Sequence, residues 1–173
     1  MSADSSSASE ASPVQDDVAE LAISYVYANL YLSDCASSLH VSALKKERIT
    51  CIICLGEKNK SDAILAAYAK AGITHHFYTP TDNSSIAAIF EETHSIISAH
   101  LKPSDPGGLL VQCLDGATFS PAVAANYLLR LGDAQCGGSS LVKVLAFINA
   151  KRPHKVDKGF SETLLAVAQV LFH

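Results

Sequence analysis

A thiol followed by a tight run of small residues is the part of this sequence best suited to chemistry. The stretch reads Gly107-Gly108-Leu109-Leu110-Val111-Gln112-Cys113-Leu114-Asp115-Gly116-Ala117-Thr118-Phe119-Ser120-Pro121. The apolar run 109–111 reads as a short buried strand, and 122–131 reads as a helix with proline at its first turn. A strand that turns into a helix through such a loop aims backbone N–H groups at one point. The helix N-terminus adds partial positive charge there, so the point suits an anion. A cysteine held beside it suits nucleophilic attack. Asp115, inside the same loop, works the other way, because its charge repels an arriving anion.

The loop needs a sheet beneath it and helices around it. Residues 22–27 and 30–32 read as two short strands joined by a hairpin turn at Ala28-Asn29. Residues 36–46 read as a helix with Leu39, Ala43 and Leu44 on one side. The continuous apolar run 49–55, rich in β-branched residues, predicts a buried central strand. Ser61 caps a helix over 62–71 that Gly72 ends, and 73–79 is the next strand, stopped by Pro80. His75 and His76 are adjacent in it, so one faces out and the other is half-buried. The spacing of Ile86, Ile89, Phe90, Ile97 and Leu101 predicts one long helix after a cap at 81–85. Three helices follow the loop, over about 121–131, 139–150 and 160–172. Strands alternating with helices imply an α/β fold: a central mixed, mostly parallel sheet of about five strands with helices on both faces.

Composition sets the outer bounds. The chain has 173 residues, 49% hydrophobic and 17% charged, which fits one domain with a sizeable core. No apolar run reaches the roughly 18 residues of a membrane span, and no basic and apolar leader opens the chain, so the expected location is cytoplasmic or nuclear. Residues 1–18 hold Asp4, Glu10, Asp16 and Asp17 without lysine or arginine and read as a disordered, serine-rich acidic tail, leaving 19–173 as the folded domain. The remainder carries thirteen acids against thirteen bases. That balance offers no basic block for nucleic acid. The five cysteines have no framework spacing and read as reduced thiols. Cys51 and Cys54 are three apart in a strand and so point to opposite faces, which argues against a metal site. No cofactor is implied.

The loop resembles the signature of the dual-specificity protein phosphatases, Val-His-Cys-x-x-Gly-x-Ser-Arg-Ser, against Val111-Gln112-Cys113-Leu114-Asp115-Gly116-Ala117-Thr118-Phe119-Ser120 here. The cysteine, the glycine, the hydroxyl at Thr118 and the serine match. Gln112 stands at the histidine position and Phe119 at the arginine position. The resemblance runs from about Leu30 to Phe172. It includes Leu30-Tyr31-Leu32-Ser33, Ala125-Asn126-Tyr127-Leu128, Lys151-Arg152-Pro153 and Gly159-Phe160-Ser161-Glu162-Thr163-Leu164, and it lacks the usual Pro-Asn pair before the Gly-Phe and the glutamine where Thr163 stands.

The resemblance implies roles by position. Cys113 matches the nucleophile, Asp82 the general acid and Ser120 the hydroxyl that steadies the leaving thiolate; residues 113–119 match the phosphate-binding loop. Phe119 has no donor, and an arginine in this position supplies two charge-assisted hydrogen bonds. The expected rate is at least about 10³-fold below that of an intact member. Three bland readings stand beside these: Cys113 as an inert buried thiol at the end of a core strand, Asp82 capping the next helix, and Phe119 filling the hollow left by phosphate and arginine. The functional expectation is a catalytically impaired pseudophosphatase that binds a protein partner, such as a phosphoprotein or a kinase. Its rivals are a weak or atypical phosphatase using Cys113, and a redox-sensitive thiol protein. Arg130, some three turns along the helix, is too far from the loop to replace the missing arginine, whereas Lys151 and Arg152 read as a charge pair closing a helix.

Overall fold

The structure, a computed structural model, describes residues 21–56, 60–102, 104, 107–156 and 158–171. The expected tail at 1–18 lies outside them. Five strands, β1 (Ser24–Tyr27), β2 (Leu30–Asp34), β3 (Ile49–Leu55), β4 (Thr74–Tyr78) and β5 (Gly108–Cys113), form one sheet in the order β1-β2-β5-β3-β4. β1 pairs antiparallel with β2, and every other pairing is parallel. The β1–β2 turn is the expected Ala28-Asn29 pair, both at positive φ (46° and 65°), which is the geometry that matches strand twist in a two-residue hairpin.

Apart from Thr50 and Gln112, β3 and β5 carry only apolar residues, cysteines and a glycine, because both their faces are covered. On one face Cys51, Ile53, Leu55, Leu109, Val111 and Cys113 join a large core with α3 (Asn83–Ala88), α4 (Phe90–His100), α5 (Phe119–Leu131), α6 (Leu141–Lys151) and α7 (Lys158–Leu171). On the other, Ile49, Ile52 and Leu110 meet Leu44 of α1 (Val41–Lys46) and Tyr68 of α2 (Asp62–Lys70). The α/β sheet with helices on both faces is therefore as the sequence predicts. His75 is exposed and His76 half-buried on the outer strand β4. Among the described residues, no helix is long and apolar enough to cross a membrane.

Two helices differ from expectation. Residues 36–46 divide into a 3-10 turn, Ser37–Leu39, and α1, and Leu39 is 46% exposed instead of sharing a face with Leu44. Serines 37 and 38 cause this. The Ser37 N–H donates to Asp34 Oδ1 (2.7 Å), Ser37 Oγ accepts from the Ala22 N–H, and Ser38 Oγ donates to the Cys35 carbonyl. These bonds turn two buried polar residues inward and leave Leu39 outside. The long helix expected from Ile86 breaks at Ile89 into α3 and α4. Ile86, Phe90 and Ile97 are all buried across the break, so it leaves no trace in the apolar spacing.

Candidate functional site

β5 is the middle strand, between β2 and β3, and its C-terminal residue Cys113 lies in register with Asp34 on one side and Leu55 on the other. In parallel sheets, the crevice beyond the carboxyl ends of the strands is where ligands bind. The loop 114–118 leaves β5 there and enters α5 at Phe119, two to three residues earlier than the sequence suggests. Cys113 is 1% exposed and Ser120 is fully buried. Their Sγ and Oγ are 3.2 Å apart. Leu114, between thiol and carboxylate, is 83% exposed.

The loop is held from behind. Gly116 has φ +64°, and a Cβ there would lie 2.2 Å from Arg152 Nη2, 2.7 Å from the Asp34 backbone nitrogen and 2.8 Å from the Ser33 carbonyl carbon. Only glycine fits that conformation and that approach. Arg152 Nε donates to the Gly116 carbonyl (2.6 Å), while its Nη1 donates to the Ala22 carbonyl (2.7 Å) and to Ser24 Oγ (3.3 Å). One guanidinium thus ties the loop to the start of β1. The Lys155 N–H adds a bond to the Ala117 carbonyl (2.8 Å). The sequence gives little sign of this clamp: Arg152 reads as a helix-end charge, and only the tertiary fold brings it to Gly116. Arg130 is engaged elsewhere, with Glu91 at 2.7 Å and Asn126 at 3.2 Å.

From the front, the loop is occupied by its own carboxylate. Asp115 Oδ1 accepts the N–H groups of Ala117 (2.9 Å) and Thr118 (3.1 Å), and Oδ2 accepts the Thr118 hydroxyl (2.9 Å). The Cys113 thiol donates to the same Oδ1 at 3.4 Å. Lys155 Nζ is 3.6 Å from Oδ2 at the surface. Partial burial alone would raise the Asp115 pKa. The hydrogen bonds from Ala117, Thr118 and Cys113 outweigh it and bring the carboxyl down to about 2. Two of the donors that a strand–loop–helix turn would offer an outside anion, the Ala117 and Thr118 N–H groups, are therefore satisfied from within.

The remaining predicted residues are placed as follows. Asp82 is the N-cap of α3: its Oδ1 accepts the Ser85 N–H (2.8 Å), and Ser85 Oγ accepts the Asp82 N–H (3.0 Å), a capping box. Hydrogen bonds from the Ser85 backbone and side chain hold its carboxyl below the usual range. Phe119 packs edge-on against Phe160, with ring centres 5.8 Å apart. It also forms one wall of a hollow beside the loop.

That hollow is a cavity of about 420 Å³ lined by Cys35, Cys54, Leu55, Pro80, Gln112 and Phe119, with Leu114, Gly56, Thr79 and Thr81 completing it. No charged side chain is among them. Gln112 is 1% exposed; its Nε2 donates to Cys54 Sγ at 2.6 Å, and its Oε1 is buried without a hydrogen-bond partner. Cys51 and Cys54 point to opposite faces of β3, as the strand period requires, and among the described residues no three His, Cys, Asp or Glu side chains converge as a metal site.

No protein-family model matches the sequence, and neither does any curated protein. Solved structures do resemble the fold. A mouse putative dual specificity phosphatase complexed with zinc tungstate is 21% identical, with a TM-score of 0.74 over 92% of this chain and 94% of that one. Human DUSP28 is 19% identical, with a TM-score of 0.72 over 87% and 95%. The human tyrosine phosphatase-like serine/threonine/tyrosine-interacting protein is 18% identical, with a TM-score of 0.71 over 88% and 99%.

Proposed function

Starting from a chain with the dual-specificity phosphatase fold, we propose that it is a pseudophosphatase: a phosphatase-like domain that binds a protein partner, of the phosphoprotein or kinase class, in the cytoplasm or nucleus and does not turn over phosphate esters. One observation carries this reading. The Asp115 carboxylate takes the Ala117 and Thr118 N–H groups, 3.4 Å from Cys113 Sγ, at the place where an incoming phosphoryl group would need them. A dianion arriving there meets a fixed negative charge and finds those two donors used. Phe119 brings no compensating cation, and the only guanidinium bonded to the loop, among the described residues, is that of Arg152, which donates to a carbonyl from behind. Phosphoryl transfer depends mostly on electrostatic stabilisation of the transferring group, so these losses fall on the rate itself.

The Cys113–Ser120 pair, at 3.2 Å, is the feature that favours the rival reading of a weak phosphatase. Hydrolysis of p-nitrophenyl phosphate by the full chain, beside Cys113→Ser, separates the two. The proposal expects no rate above the serine variant. A rate that Cys113→Ser abolishes contradicts it.

A further inference from the structure

The two faces of the sheet are unequally covered. Five helices meet one face; the other has α1 and α2 among the described residues. Of these, α1 packs chiefly on β3 and α2 on β4. At the β1–β2 end of that face Tyr25 and Tyr31 stand opposite each other, their rings edge to face with centres 5.5 Å apart. Tyr25 is 51% exposed, and Ile23, Tyr31 and Val41, which border the same core, are half-buried. Two tyrosine rings with aliphatic neighbours suit an apolar cover. One end of this patch is basic. Gly108 lies under the Tyr31 ring, where a Cβ would come 3.0 Å from it, and its N–H donates to the Arg48 carbonyl (2.8 Å). Arg48 therefore sits beside Tyr31. With Lys45 and Lys46 it makes three exposed cations against the single acid Glu47, and none of the three forms an ion pair with another described residue.

The chain itself supplies a cover. Residues 1–20 lie outside the described ones and lead into the start of β1. Ala22 is pinned there: its N–H donates to Ser37 Oγ (3.0 Å), and its carbonyl accepts from Arg152 Nη1 (2.7 Å). The segment before it is thus tethered within one strand length of Tyr25. It holds Asp4, Glu10, Asp16, Asp17 and Glu20 and no lysine, arginine or histidine, a charge complementary to the basic rim. Its first eleven residues are serine, alanine and acid after Met1, but the rest has a pattern of its own. Ser12 and Gln15 have the spacing of a capping box, and Pro13 suits a first helical position. Val14, Val18 and Leu21 recur at i, i+4 and i+7 as one apolar stripe, flanked by Asp17 and Glu20. Nine residues of helix span about 14 Å, roughly the length of a four-residue strand such as β1.

We propose that residues 12–20 form an amphipathic helix that folds back along β1 and covers the Tyr25–Tyr31 patch, with Val14 and Val18 on the two rings and Asp17 and Glu20 toward Lys45, Lys46 and Arg48. This segment is the occupant, ahead of any separate protein, because it is already attached at the patch, where its effective concentration is high, and because its charge is opposite to that of the rim. The placement holds whether or not the loop turns over phosphate.

NMR of the isotope-labelled full chain, at low and high protein concentration, tests it. Nuclear Overhauser contacts are expected from the Val14 and Val18 methyls to the Tyr25 and Tyr31 rings, with amide exchange over 15–20 at least about tenfold slower than in an unstructured chain. Val14→Asp combined with Val18→Asp should return that exchange to unstructured rates. Lys45→Glu combined with Arg48→Glu should cut the protection severalfold, as should about 0.5 M sodium chloride; if the charge-reversed variant does not fold, the salt series decides the same point. Unstructured exchange over 15–20 in the unaltered chain, or contacts from the two valines to any other surface, overturns the proposal. Protection that appears only at high concentration overturns it too, since the face would then belong to a second copy's segment. Protection indifferent to both salt and charge reversal overturns the assignment of the basic rim.

Discussion

Replacing Asp115 by alanine should turn a loop that refuses oxyanions into one that accepts them. The carboxylate holds two backbone N–H groups and one hydroxyl and faces the thiol at 3.4 Å. Removing it frees both N–H groups. A hydrogen bond to a charged group contributes about 1.5–3 kcal/mol, so the pair offers a bound dianion at least about 3 kcal/mol. That corresponds to roughly a hundredfold in affinity. Asp115→Asn is the informative control, since its amide oxygen can still accept from Ala117 and Thr118 although the charge is gone. Phe119→Arg tests the other deficit. With Asp115 in place the new guanidinium has a carboxylate to pair with, and each of these two variants should gain less than about tenfold. Phe119→Arg combined with Asp115→Ala should exceed Asp115→Ala alone by a further hundredfold or so, because a bidentate guanidinium then meets the anion directly. Titration calorimetry with sodium tungstate measures all four. If Asp115→Asn gains as much as Asp115→Ala, charge acts at a distance and the occupied N–H groups are irrelevant. If Phe119→Arg alone matches the double variant, the account of Asp115 is wrong.

Three further outcomes follow from the same geometry. Gly116→Ala should lower the Tm sharply, by about 3 kcal/mol or more in stability, since a Cβ would meet Arg152 and the β2 backbone at positive φ; thermal unfolding checks it. Arg152→Leu removes three hydrogen bonds from one guanidinium and should cost about 2–4 kcal/mol, with faster amide exchange at 114–118 than elsewhere in the sheet. Asp115 also contributes an acid-sensitive increment. Its carboxyl lies near 2 when folded, below its ordinary value, so the increment is complete above about pH 4 and is lost as pH falls toward 2. With the side chain 37% exposed, screening reduces this to about 1 kcal/mol, read as the difference between wild type and Asp115→Ala in denaturant midpoints at pH 6 and pH 2.5.

The fold was legible in the sequence because its core strands are mostly apolar, without a polar–apolar alternation, and its caps are local. Ser61 and the Ala28-Asn29 turn act within a few residues, and they sit where the pattern puts them. The two misjudged helices had a different cause. The inward pull on Ser37 and Ser38 comes partly from Ala22 and from Tyr68, whose hydroxyl donates to the Ser38 carbonyl at 2.6 Å, and no periodicity reports partners so distant. At the site, Cys113, Ser120 and the loop glycine were legible because a short motif carries them. The charge of Asp115 was legible too, but its direction was not: repulsion follows from composition, whereas self-occupation depends on where two N–H groups point. The Arg152 clamp and the walls contributed by Cys35 and Cys54 come from a remote helix end, the turn after β2 and strand β3, so only the sheet order brings them together.

Diffraction from crystals of the unaltered chain soaked in millimolar tungstate, read at the tungsten absorption edge, bears most directly on whether the loop is already occupied. The prediction is no anomalous peak above Cys113, with Asp115 Oδ1 still bonded to the Ala117 and Thr118 nitrogens. A tungsten peak within the loop, with the Asp115 side chain swung out to solvent, would contradict it.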